Sequence, residues 1–266
     1  MKQSTPMRPW ALVTGAASGL GLDLAKQLAT DYQLVLVDLQ IDALTRVAKS
    51  LQCHHHFVCD LADPAAIVAL AESIAQQHIT LSVLINNAGI THRSLASLTQ
   101  TSVIEKVMRV NYFAPVQLTQ MLTPHLSRDA NIVNISSMAG WMPVLGRAGY
   151  CASKAALHQY FETLRAEWQG NGKHILMVYP SFLDTPIEHN ALNGLGSKAT
   201  HKRTMVGAMG SSKDMASQII SAMNKGQQRL MPDWFTRVSA LLYRLTPNVY
   251  LYLMRRRLSR ELSSPQ

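Results

Sequence analysis

The sequence predicts an α/β protein with a doubly wound parallel sheet of about seven strands and helices on both faces. Two observations indicate this fold class. The candidate strands are short and nearly all apolar, which is typical of strands buried on both faces of a parallel sheet. They alternate with segments in which apolar residues recur at helical spacing, and no linker interrupts the series. We therefore expect a single domain over residues 1–233.

The first half of the chain opens with a strand, a helix and a strand within about 30 residues, which is one βαβ unit. Asp63 followed by Pro64 predicts a later helix start, because Asp caps a helix and Pro fits its first position. The elements of this half are strands over 10–14, 34–37, 57–59 and 81–85, with helices over 22–29, 41–51 and from residue 63.

The second half continues the alternation and adds two irregular segments. Residues 186–211 are rich in Gly, Ser, Thr and His, and loops of this length in compact domains are usually lids or binding loops. We expect them to form the substrate loop. Residues 234–266 form a basic amphipathic C-terminal extension. The regular elements are helices over 102–126, 148–169 and 212–224, with strands over 132–135, 174–178 and 229–231.

The composition excludes several classes of protein. Of the 266 residues, 47% are hydrophobic and 15% charged, which excludes intrinsic disorder. The three cysteines, Cys53, Cys59 and Cys151, form neither a disulfide framework nor a metal-ligand pattern, so we expect a reducing compartment and no metal site. No secretory signal or membrane-spanning run is visible, so we expect a cytoplasmic protein, at most associated with the inner membrane surface.

The positive charge is concentrated at the C-terminus. Of a formal net charge of +9, six arginines and one acid, Glu261, place five charges in residues 234–266. Short aromatic-rich helices with flanking arginines suit a membrane interface. Their apolar faces would also suit packing on the domain or on a partner subunit, and the sequence is compatible with both membrane contact and packing. The rest of the chain is only modestly basic, so we expect no nucleic-acid partner.

A glycine-rich segment, TGAASGLG at residues 14–21, lies between the first strand and the first helix. In that context Gly15 permits a tight turn, and Gly19 and Gly21 let the backbone approach a pyrophosphate and the helix pack on the strand. The helix N-terminus adds free N–H groups and the positive end of its dipole. The segment predicts a dinucleotide site.

Asp38 ends the second strand, 23 residues after Gly15. A carboxylate there can accept hydrogen bonds from the adenosine ribose hydroxyls, and its charge would repel a 2′-phosphate. Leu39 follows it, and residues 16–18 are Ala-Ala-Ser, so neither place offers a cation to hold that phosphate. We expect NAD(H) as cofactor, with NADP(H) as the alternative.

The candidate chemical groups follow strand ends or lie on helices. Tyr150 and Lys154 are four residues apart on a predicted helix and so share a face. Ser136-Ser137 and the segment 86–89 each follow a strand, at the carboxyl edge of the sheet where ligands bind. Asn111 lies within the long helical pattern.

Together these motifs resemble the classical short-chain dehydrogenase/reductase (SDR) family in order and spacing, over about residues 9–231. Ser137 matches the family serine because it lies thirteen residues before Tyr150. The resemblance implies a Rossmann fold and an NAD(P)-dependent oxidoreductase acting on CH–OH groups. The matching elements are TGAASGLG at 14–21, Asp38, Asp60-Leu61, NNAG at 86–89, Asn111, Ser137, Tyr150 and Lys154.

The resemblance implies a catalytic set of Asn111, Ser137, Tyr150 and Lys154. Tyr150 would exchange a proton with the substrate oxygen, and Ser137 would orient that oxygen. Lys154 would grip the nicotinamide ribose, and Asn111 would hold a water in a proton relay. Free Tyr has a pKa near 10. We expect the Lys154 ammonium and the positive nicotinamide to lower the pKa of Tyr150 towards the range of a useful acid or base.

The resemblance also implies a cofactor-binding set. Asp60 and Leu61 would flank the adenine, and Thr185 would meet the nicotinamide carboxamide. One departure is the Pro180-Ser181 pair, where the family usually has Pro-Gly, because Ser takes a positive φ less freely than Gly. The set is Gly15, Ser18, Gly19, Leu20, Gly21, Asp38, Asp60, Leu61, Asn87, Ala88, Gly89, Tyr150, Lys154, Pro180, Leu183 and Thr185.

The expected reaction is hydride transfer between NAD(H) and an alcohol/ketone or aldehyde pair. The loop and the extension favour a hydrophobic substrate, with residues 92–97, 138–147 and 186–211 lining its pocket. The resemblance further implies a homo-oligomer, a dimer or tetramer, formed through the helices near 102–126 and 148–169. The alternative is a dinucleotide-binding sensor or scaffold without chemistry, against which the intact set of Ser137, Tyr150 and Lys154 argues.

Overall fold

A seven-stranded parallel sheet forms the centre of the part of the chain that the structure describes. The structure is a computed structural model and describes residues 8–180, 182–200, 209–232 and 234–259. The strand order is β3-β2-β1-β4-β5-β6-β7, so the direction of winding reverses between β1 and β4. Ligands bind at such a switch point, outside the carboxyl ends of the strands. The strands are β1 (Trp10–Thr14), β2 (Gln33–Asp38), β3 (His55–Val58), β4 (Leu81–Asn86), β5 (Leu126–Ile135), β6 (His174–Val178) and β7 (Arg229–Leu230).

Helices cover both faces of the sheet, as the sequence predicts for a doubly wound fold. Successive strand residues point to opposite faces, so Leu12 and Val13 of β1 belong to different apolar clusters. Leu24 and Ile219 lie in the cluster with Val13, and Phe161 lies in the one with Leu12. The first face carries α1 (Gly19–Leu28), α2 (Ile41–Ser50) and α7 (Ser212–Asn224), and the second carries α3 (Pro64–Gln76), α5 (Ala114–Leu122) and α6 (Ala148–Glu167).

The helix start at Asp63 is confirmed. The Asp63 carboxylate accepts a hydrogen bond from the backbone N–H of Ala65 at 2.9 Å, and Pro64 is the first helical residue. Asp is a strong N-cap because its oxygen satisfies an N–H that the helix leaves without a partner.

The predicted helix over 102–126 is interrupted. It begins as α4 (Thr101–Met108), passes through a π-helical segment (Arg109–Phe113) and resumes as α5. The backbone N–H of Ala114 bonds to the carbonyl of Arg109, five residues earlier, and Pro115 has no N–H to offer the carbonyl of Asn111. Single-turn π segments of this kind occur often at functional sites.

The C-terminal extension forms two helices, α8 (Trp234–Leu245) and α9 (Pro247–Arg257), that fold back on the domain. The Tyr250 hydroxyl donates to the carbonyl of Pro143 at 3.0 Å, and Leu258 is buried. Ala240 and Met231 pack against the apolar cluster of the second face. Within the described ranges, no helix combines the length and the apolar character needed to cross a bilayer.

Candidate active site

The glycine-rich segment turns tightly between β1 and α1. Gly15 and Gly19 have φ values of +66° and +52°, in the left-handed region that favours glycine. A Cβ built on Gly21 would lie 2.1 Å from the carbonyl oxygen of Gly15, so the turn closes only with glycine there. Ser18 is exposed and precedes α1 as its N-cap residue, and Leu20, the second residue of α1, is buried. The turn leaves the N-terminus of α1 facing the switch point.

A hydrogen-bond network joins this turn to the end of β4. The Thr14 hydroxyl accepts from the backbone N–H groups of Asn87 and Ala88, at 3.0 and 3.1 Å. The Asn87 amide donates to the carbonyls of Thr14 and Gly15, at 2.9 and 3.3 Å. Asn87 and Ala88 thereby shape the floor of the cleft. Thr14 is 2% exposed and was not among the predicted site residues, although it is the first residue of the TGAASGLG segment.

Asp38 lies at the end of β2, beside the glycine-rich turn. One carboxylate oxygen accepts from the backbone N–H of Ala17 at 2.9 Å, and the other accepts from that of Gln40 at 3.0 Å. Each carboxylate oxygen can accept more than one hydrogen bond. Asp38 is half-buried and lines the cavity together with Leu39 and Gln40, so a negative charge faces the place where an adenosine ribose is expected.

The remaining predicted cofactor residues border the same cleft. Asp60 and Leu61 follow β3, and the Asp60 carboxylate accepts from the N–H of Ala62 at 2.9 Å. A Cβ on Gly19 would lie 3.2 Å from both Thr185 Cβ and Pro186 Cδ, so the segment after β6 reaches over the glycine-rich turn. Pro180, Leu183 and Thr185 line the cavity, whereas Ser181 lies outside the described residues.

Tyr150, Ser137 and Lys154 meet beyond the carboxyl end of β5. Ser137 caps a short 3-10 turn, where its hydroxyl accepts from the N–H of Ala139 at 3.2 Å. The Lys154 ammonium donates to the carbonyl of Ile135 at 2.7 Å and lies 5.9 Å from the centre of the Tyr150 ring. Helix α6 therefore presents both side chains to the strand end that carries Ser137. The structure brings these three predicted residues together.

Burial is the main influence on the pKa values of Tyr150 and Lys154. Burial raises the pKa of Tyr150 from its ordinary value, while a hydrogen bond with Ser137 and the positive charge of Arg147 act in the opposite direction. This direction differs from the lowering expected from Lys154 and a nicotinamide. Burial also lowers the pKa of Lys154 to about 8. In the protein alone, desolvation outweighs the charges around the Tyr150 phenol.

Asn111 lies in the π-helical segment and is fully buried. Its side-chain oxygen accepts from the N–H of Ile90 at 2.9 Å, and its amide donates to the carbonyl of Ile90 at 2.9 Å and to the Ser153 hydroxyl at 3.0 Å. The side chain thus ties the segment after β4 to α6. Gly89 fits between these parts, because a Cβ there would lie 3.3 Å from the Asn111 oxygen and 3.7 Å from Lys154 Nζ.

One cavity of about 740 Å³ joins the cofactor cleft to these groups. Segment 138–147 and the start of segment 186–211 contribute to its wall, as predicted, through residues such as Met142 and Ile187, whereas residues 201–208 lie outside the described part of the chain. The prediction for residues 92–97 is wrong, because the lining includes none of them. His92, Arg93 and Ser94 are buried within the protein, whereas Ala96 and Ser97 are exposed on its surface. Helices α8 and α9 complete the wall.

Several polar residues near Tyr150 were missed. Arg147, just before α6, pairs with Glu188 of the substrate loop, with Nη2 2.7 Å from Oε2. His92 accepts from the N–H of Gly149 at 2.9 Å. Their partners are distant in sequence, so local periodicity gave no signal for them. Within the described ranges, no group of three or more His, Cys, Asp or Glu side chains is placed to hold a metal ion.

Residues 9–195, more than half of the chain, match the family model described as short chain dehydrogenase. The chain belongs to the short-chain dehydrogenase/reductase family. This SDR is therefore an oxidoreductase, as the resemblance implied. It is 35% identical to "Dehydrogenase/reductase SDR family member 7B" of Mus musculus, over 95% of this chain and 82% of the mouse protein. It is 32% identical to "Dehydrogenase/reductase SDR family protein 7-like" of Anopheles gambiae, over 92% of this chain and 82% of the mosquito protein.

Solved structures share the fold of this SDR. A short-chain dehydrogenase/reductase from Burkholderia phymatum in complex with NAD superposes with a TM-score of 0.78 at 22% identity, covering 92% of this chain and 95% of that one. A short-chain dehydrogenase from Sphingobium yanoikuyae in complex with NADPH superposes with a TM-score of 0.76 at 25% identity, with the same two coverages. The two neighbours thus carry different dinucleotides.

Proposed function

We propose that this SDR is an NAD(H)-dependent oxidoreductase that interconverts a hydrophobic alcohol and its ketone or aldehyde, with Tyr150 as the general acid/base. The observation that carries the proposal is the convergence of Tyr150, Ser137 and Lys154 at the carboxyl end of β5, beside a glycine-rich dinucleotide cleft. A sensor or scaffold would have no use for a phenol and an ammonium held together on one helix face.

The cleft fits a dinucleotide by its shape. Glycine at positions 15 and 21 lets the turn close, and the N-terminus of α1 would then offer its free N–H groups to a pyrophosphate. Asp38, flanked by Leu39, supports a preference for NAD(H), because its charge suits ribose hydroxyls and opposes a 2′-phosphate. The other residues that would hold the cofactor are Ser18, Gly19, Leu20, Asp60, Leu61, Asn87, Ala88, Gly89, Pro180, Leu183, Thr185, Tyr150 and Lys154.

The mechanism assigns one task to each side chain. When bound, a nicotinamide dinucleotide would supply the hydride acceptor for oxidation or the hydride donor for reduction. Tyr150 takes the hydroxyl proton of the alcohol during oxidation and returns it to the carbonyl oxygen during reduction. Ser137 hydrogen-bonds the same substrate oxygen and fixes it beside the phenol. Lys154 places a positive charge behind the phenol, where it favours the tyrosinate.

Asn111 contributes through its position rather than through a free side chain. Its amide is engaged by Ile90 and Ser153. Pro115 cannot donate to the Asn111 carbonyl, so that oxygen is the group of Asn111 best suited to hold a water for proton exchange near Lys154. The proposed relay role therefore falls on its backbone.

The apolar wall of the cavity supports a hydrophobic substrate. Apolar residues come from the segment after β5, from the substrate loop and from both C-terminal helices, and burying an apolar molecule against them is favourable. The apolar lining residues from these segments include Met138, Met142, Val144, Leu145, Ile187, Leu192, Val238, Leu242 and Met254.

The test is a screen of hydrophobic alcohols and ketones with NAD(H) and with NADP(H), in which the absorbance of the reduced nicotinamide is followed. Tyr150→Phe should reduce kcat by about a hundredfold or more, because it removes the proton-transferring hydroxyl. Tyr160→Phe is the matched control, since this tyrosine is also on α6 but its hydroxyl bonds Gln120. An active parent whose Tyr150→Phe variant is equally active would refute the mechanism. A parent that binds NAD(H) but oxidises or reduces nothing would favour the sensor.

For the outer face of α8 and α9 we propose contact with an anionic membrane surface. The face exposes large apolar side chains, including Trp234, Leu241, Leu245 and Tyr252, beside the arginine run 255–257. The full chain should sediment with vesicles of anionic lipid at low salt, and a chain ending at residue 233 should not. Equal sedimentation of both would refute the membrane contact, and concentration-dependent assembly lost on truncation would instead indicate a subunit interface.

We also propose a homo-oligomer formed through α4, α5 and α6, as the resemblance implies. Phe113, next to α5, is 46% exposed and stacks on the Arg109 guanidinium, which leaves an apolar ring on this surface. Analytical ultracentrifugation of the full chain should give a dimer or a tetramer, and Phe113→Glu should shift it towards the monomer. A monomer at all concentrations would exclude this assembly.

A further inference from the structure

Three chain segments meet at the start of α6, the helix that carries Tyr150. Residues 91–94, which follow β4, lie between the substrate loop and the residues that precede α6. Arg93 N–H donates to the carbonyl of Leu192 at 2.7 Å, and Leu192 N–H donates to the carbonyl of Thr91 at 2.9 Å, which docks the substrate loop on this segment. On the other side, Ser94 N–H donates to the carbonyl of Gly146 at 3.0 Å. The middle segment therefore connects the substrate loop to the residues that lead into α6.

An ion cluster reinforces the same junction. Arg147 donates through Nη1 to the Thr91 hydroxyl at 2.9 Å and through Nη2 to Glu188 Oε2 at 2.7 Å. Arg93 Nη2 lies 3.1 Å from the same carboxylate oxygen. The side chains of Arg93 and Arg147 are 6% and 7% exposed, and that of Glu188 is 23% exposed. One carboxylate from the substrate loop is thus shared by two buried guanidinium groups.

The position of this cluster relates it to the chemistry. Arg147 precedes the first residue of α6 and its carbonyl accepts from the N–H of Cys151 at 2.8 Å, so it forms part of the first helical turn that carries Tyr150. Arg147 and Glu188 both line the cavity. A buried ion pair is a costly way to hold two segments together, because two charges lose water. Apolar residues would have closed the loop at lower cost.

We propose that Arg147 and Glu188 are positioning residues for Tyr150: their ion pair fixes the first turn of α6 against the docked substrate loop and holds two opposite charges in the wall of the cavity that Tyr150 also lines. The inference rests on the proposed acid/base role of Tyr150. Arg147 favours the tyrosinate and Glu188 opposes it, so the pair balances the two states of the phenol.

The direction of each effect is fixed by charge. The positive charge of Arg147 lowers the pKa of Tyr150, and the negative charge of Glu188 raises it. The other ionisable groups around the phenol are Cys151, which raises that pKa, and Lys154, whose ammonium faces the ring at 5.9 Å. Burial outweighs all of them. Removing one member of the ion pair leaves the burial of Tyr150 in place, so the pKa of Tyr150 should then show the effect of the remaining charge alone.

Three variants separate charge from geometry. Arg147→Met removes the charge, Glu188→Gln removes the opposite charge, and Arg147→Lys keeps the charge but cannot bond Thr91 and Glu188 together in the way a guanidinium does. The matched control is Arg229→Met. Arg229 also pairs with a carboxylate, with Nη2 2.6 Å from Glu162 Oε2, but does not line the cavity.

The decisive measurement is the apparent pKa of Tyr150 in each variant. It is taken from the pH profile of kcat/KM and, independently of turnover, from an ultraviolet difference titration of each variant against the same variant carrying Tyr150→Phe. We expect Arg147→Met to raise this pKa by about one unit, Glu188→Gln to lower it by a similar amount, and Arg147→Lys and Arg229→Met to leave it in place. Shifts of the same sign in Arg147→Met and Glu188→Gln, or none in either, would overturn the proposal.

Hydrogen exchange tests the mechanical part. In Glu188→Gln, Arg147→Met and Arg147→Lys, backbone amides of residues 148–153 and 186–192 should exchange faster together, and in Arg229→Met they should not. If loop amides accelerate while those of 148–153 stay protected, the loop and the helix start are uncoupled and the proposal fails. If the parent turns over no compound, the proposed function fails, yet the titration and exchange still decide the role of Arg147 and Glu188.

Discussion

The imidazole Nε2 of His92 accepts a hydrogen bond from the backbone N–H of Gly149 at 2.9 Å, one residue before Tyr150. Because Nε2 accepts, the proton of the neutral ring is on Nδ1, which lies 3.1 Å from the Ser94 hydroxyl. Ser94 in turn contacts the Thr99 hydroxyl at 2.7 Å. His92 thus caps the first turn of the helix that carries Tyr150, and it does so only while uncharged.

We predict that His92 makes the protein less stable in mild acid. Burial, aided by the charge of Arg147, lowers the pKa of His92 from 6.5 to about 4. The unfolded chain takes up this proton near pH 6.5 and the folded protein only near pH 4, so the free energy of unfolding falls as pH drops through that window. The full loss for a shift of this size is about 3 kcal/mol. Urea unfolding at several pH values between 7.5 and 4.5 measures most of this loss.

The control is His92→Gln, whose amide oxygen can accept from Gly149 N–H but does not titrate. We expect this variant to be about 1 kcal/mol less stable at pH 7.5, through poorer packing and hydrogen bonding, and to lose less stability between pH 6.5 and 4.5. The pKa of His158 is also lowered by burial, but His158 is present in both proteins and its effect cancels in the comparison. Parallel pH curves for the two proteins would contradict the prediction.

A second prediction concerns cofactor preference. Asp38→Asn removes the charge at the ribose end of the cleft but keeps an oxygen for the N–H of Ala17 or Gln40. Removing a negative charge beside a 2′-phosphate should reduce the NAD-over-NADP ratio of kcat/KM by about tenfold, which corresponds to about 1.4 kcal/mol. Asp42→Asn, on the exposed first turn of α2, loses the same charge outside the cleft and should leave the ratio unchanged. Equal changes in both variants would show that Asp38 acts only through net charge.

A third prediction tests the closure of the glycine-rich turn. In Gly21→Ala the new Cβ would stand 2.1 Å from the Gly15 oxygen and 2.5 Å from Asn87 Nδ2. The backbone must move to make room for this atom. The affinity for NADH, measured by fluorescence, should therefore weaken by more than about tenfold, and the free energy of unfolding should fall by about 1–3 kcal/mol. Gly170 has φ +84°, and a Cβ built there meets no atom beyond its chain neighbours within 4 Å. Gly170→Ala should therefore cost about 1 kcal/mol of backbone strain and leave NADH affinity intact. Unchanged NADH affinity in Gly21→Ala would contradict the assignment of the turn.

Local pattern predicted the sheet and most of the candidate site, because the causes are local. Strands buried on two faces must be apolar, and the turn at Gly15 and the Tyr150–Lys154 spacing depend on residues within one or two helical turns. Strand β5 was predicted too short, because its first half contains the polar residues Ser127, Arg128 and Asp129. The π-helical segment was missed because the helix continues through it, and a backbone N–H that bonds five residues back instead of four leaves no mark in the residue pattern.

The polar network around Tyr150 could not be predicted in the same way. Arg147 and Glu188 are 41 residues apart in sequence, and His92 and Gly149 are 57 apart. An arginine or a histidine in a sequence is most often solvated, and only the packing of three loops turns these residues into buried partners. The sequence predicted a lowered pKa for Tyr150 from the charges of Lys154 and the nicotinamide. In the protein alone this pKa is raised, because burial of the phenol, which the sequence does not reveal, has the larger effect.

A fourth prediction concerns the wall that α9 adds to the substrate cavity. The Tyr250 hydroxyl donates to the carbonyl of Pro143 at 3.0 Å, and burial raises the pKa of Tyr250 to about 12, so the hydroxyl keeps its proton throughout the useful pH range. Tyr250 lines the cavity together with Leu253 and Met254 of the same helix. Long apolar substrates should reach this wall, and short ones should not.

Tyr250→Phe removes that hydrogen bond, worth about 1 kcal/mol, and loosens α9 over the cavity. We expect KM to rise about three- to tenfold for the longest alcohols of a homologous series, with kcat unchanged and short alcohols unaffected. Tyr252→Phe is the matched control, because Tyr252 is on the same helix and is 65% exposed. An increase in KM that is independent of chain length, or one that Tyr252→Phe reproduces, would mean that α9 stabilises the domain without contacting substrate. An increase confined to long alcohols and to Tyr250→Phe would identify the C-terminal extension as part of the substrate site.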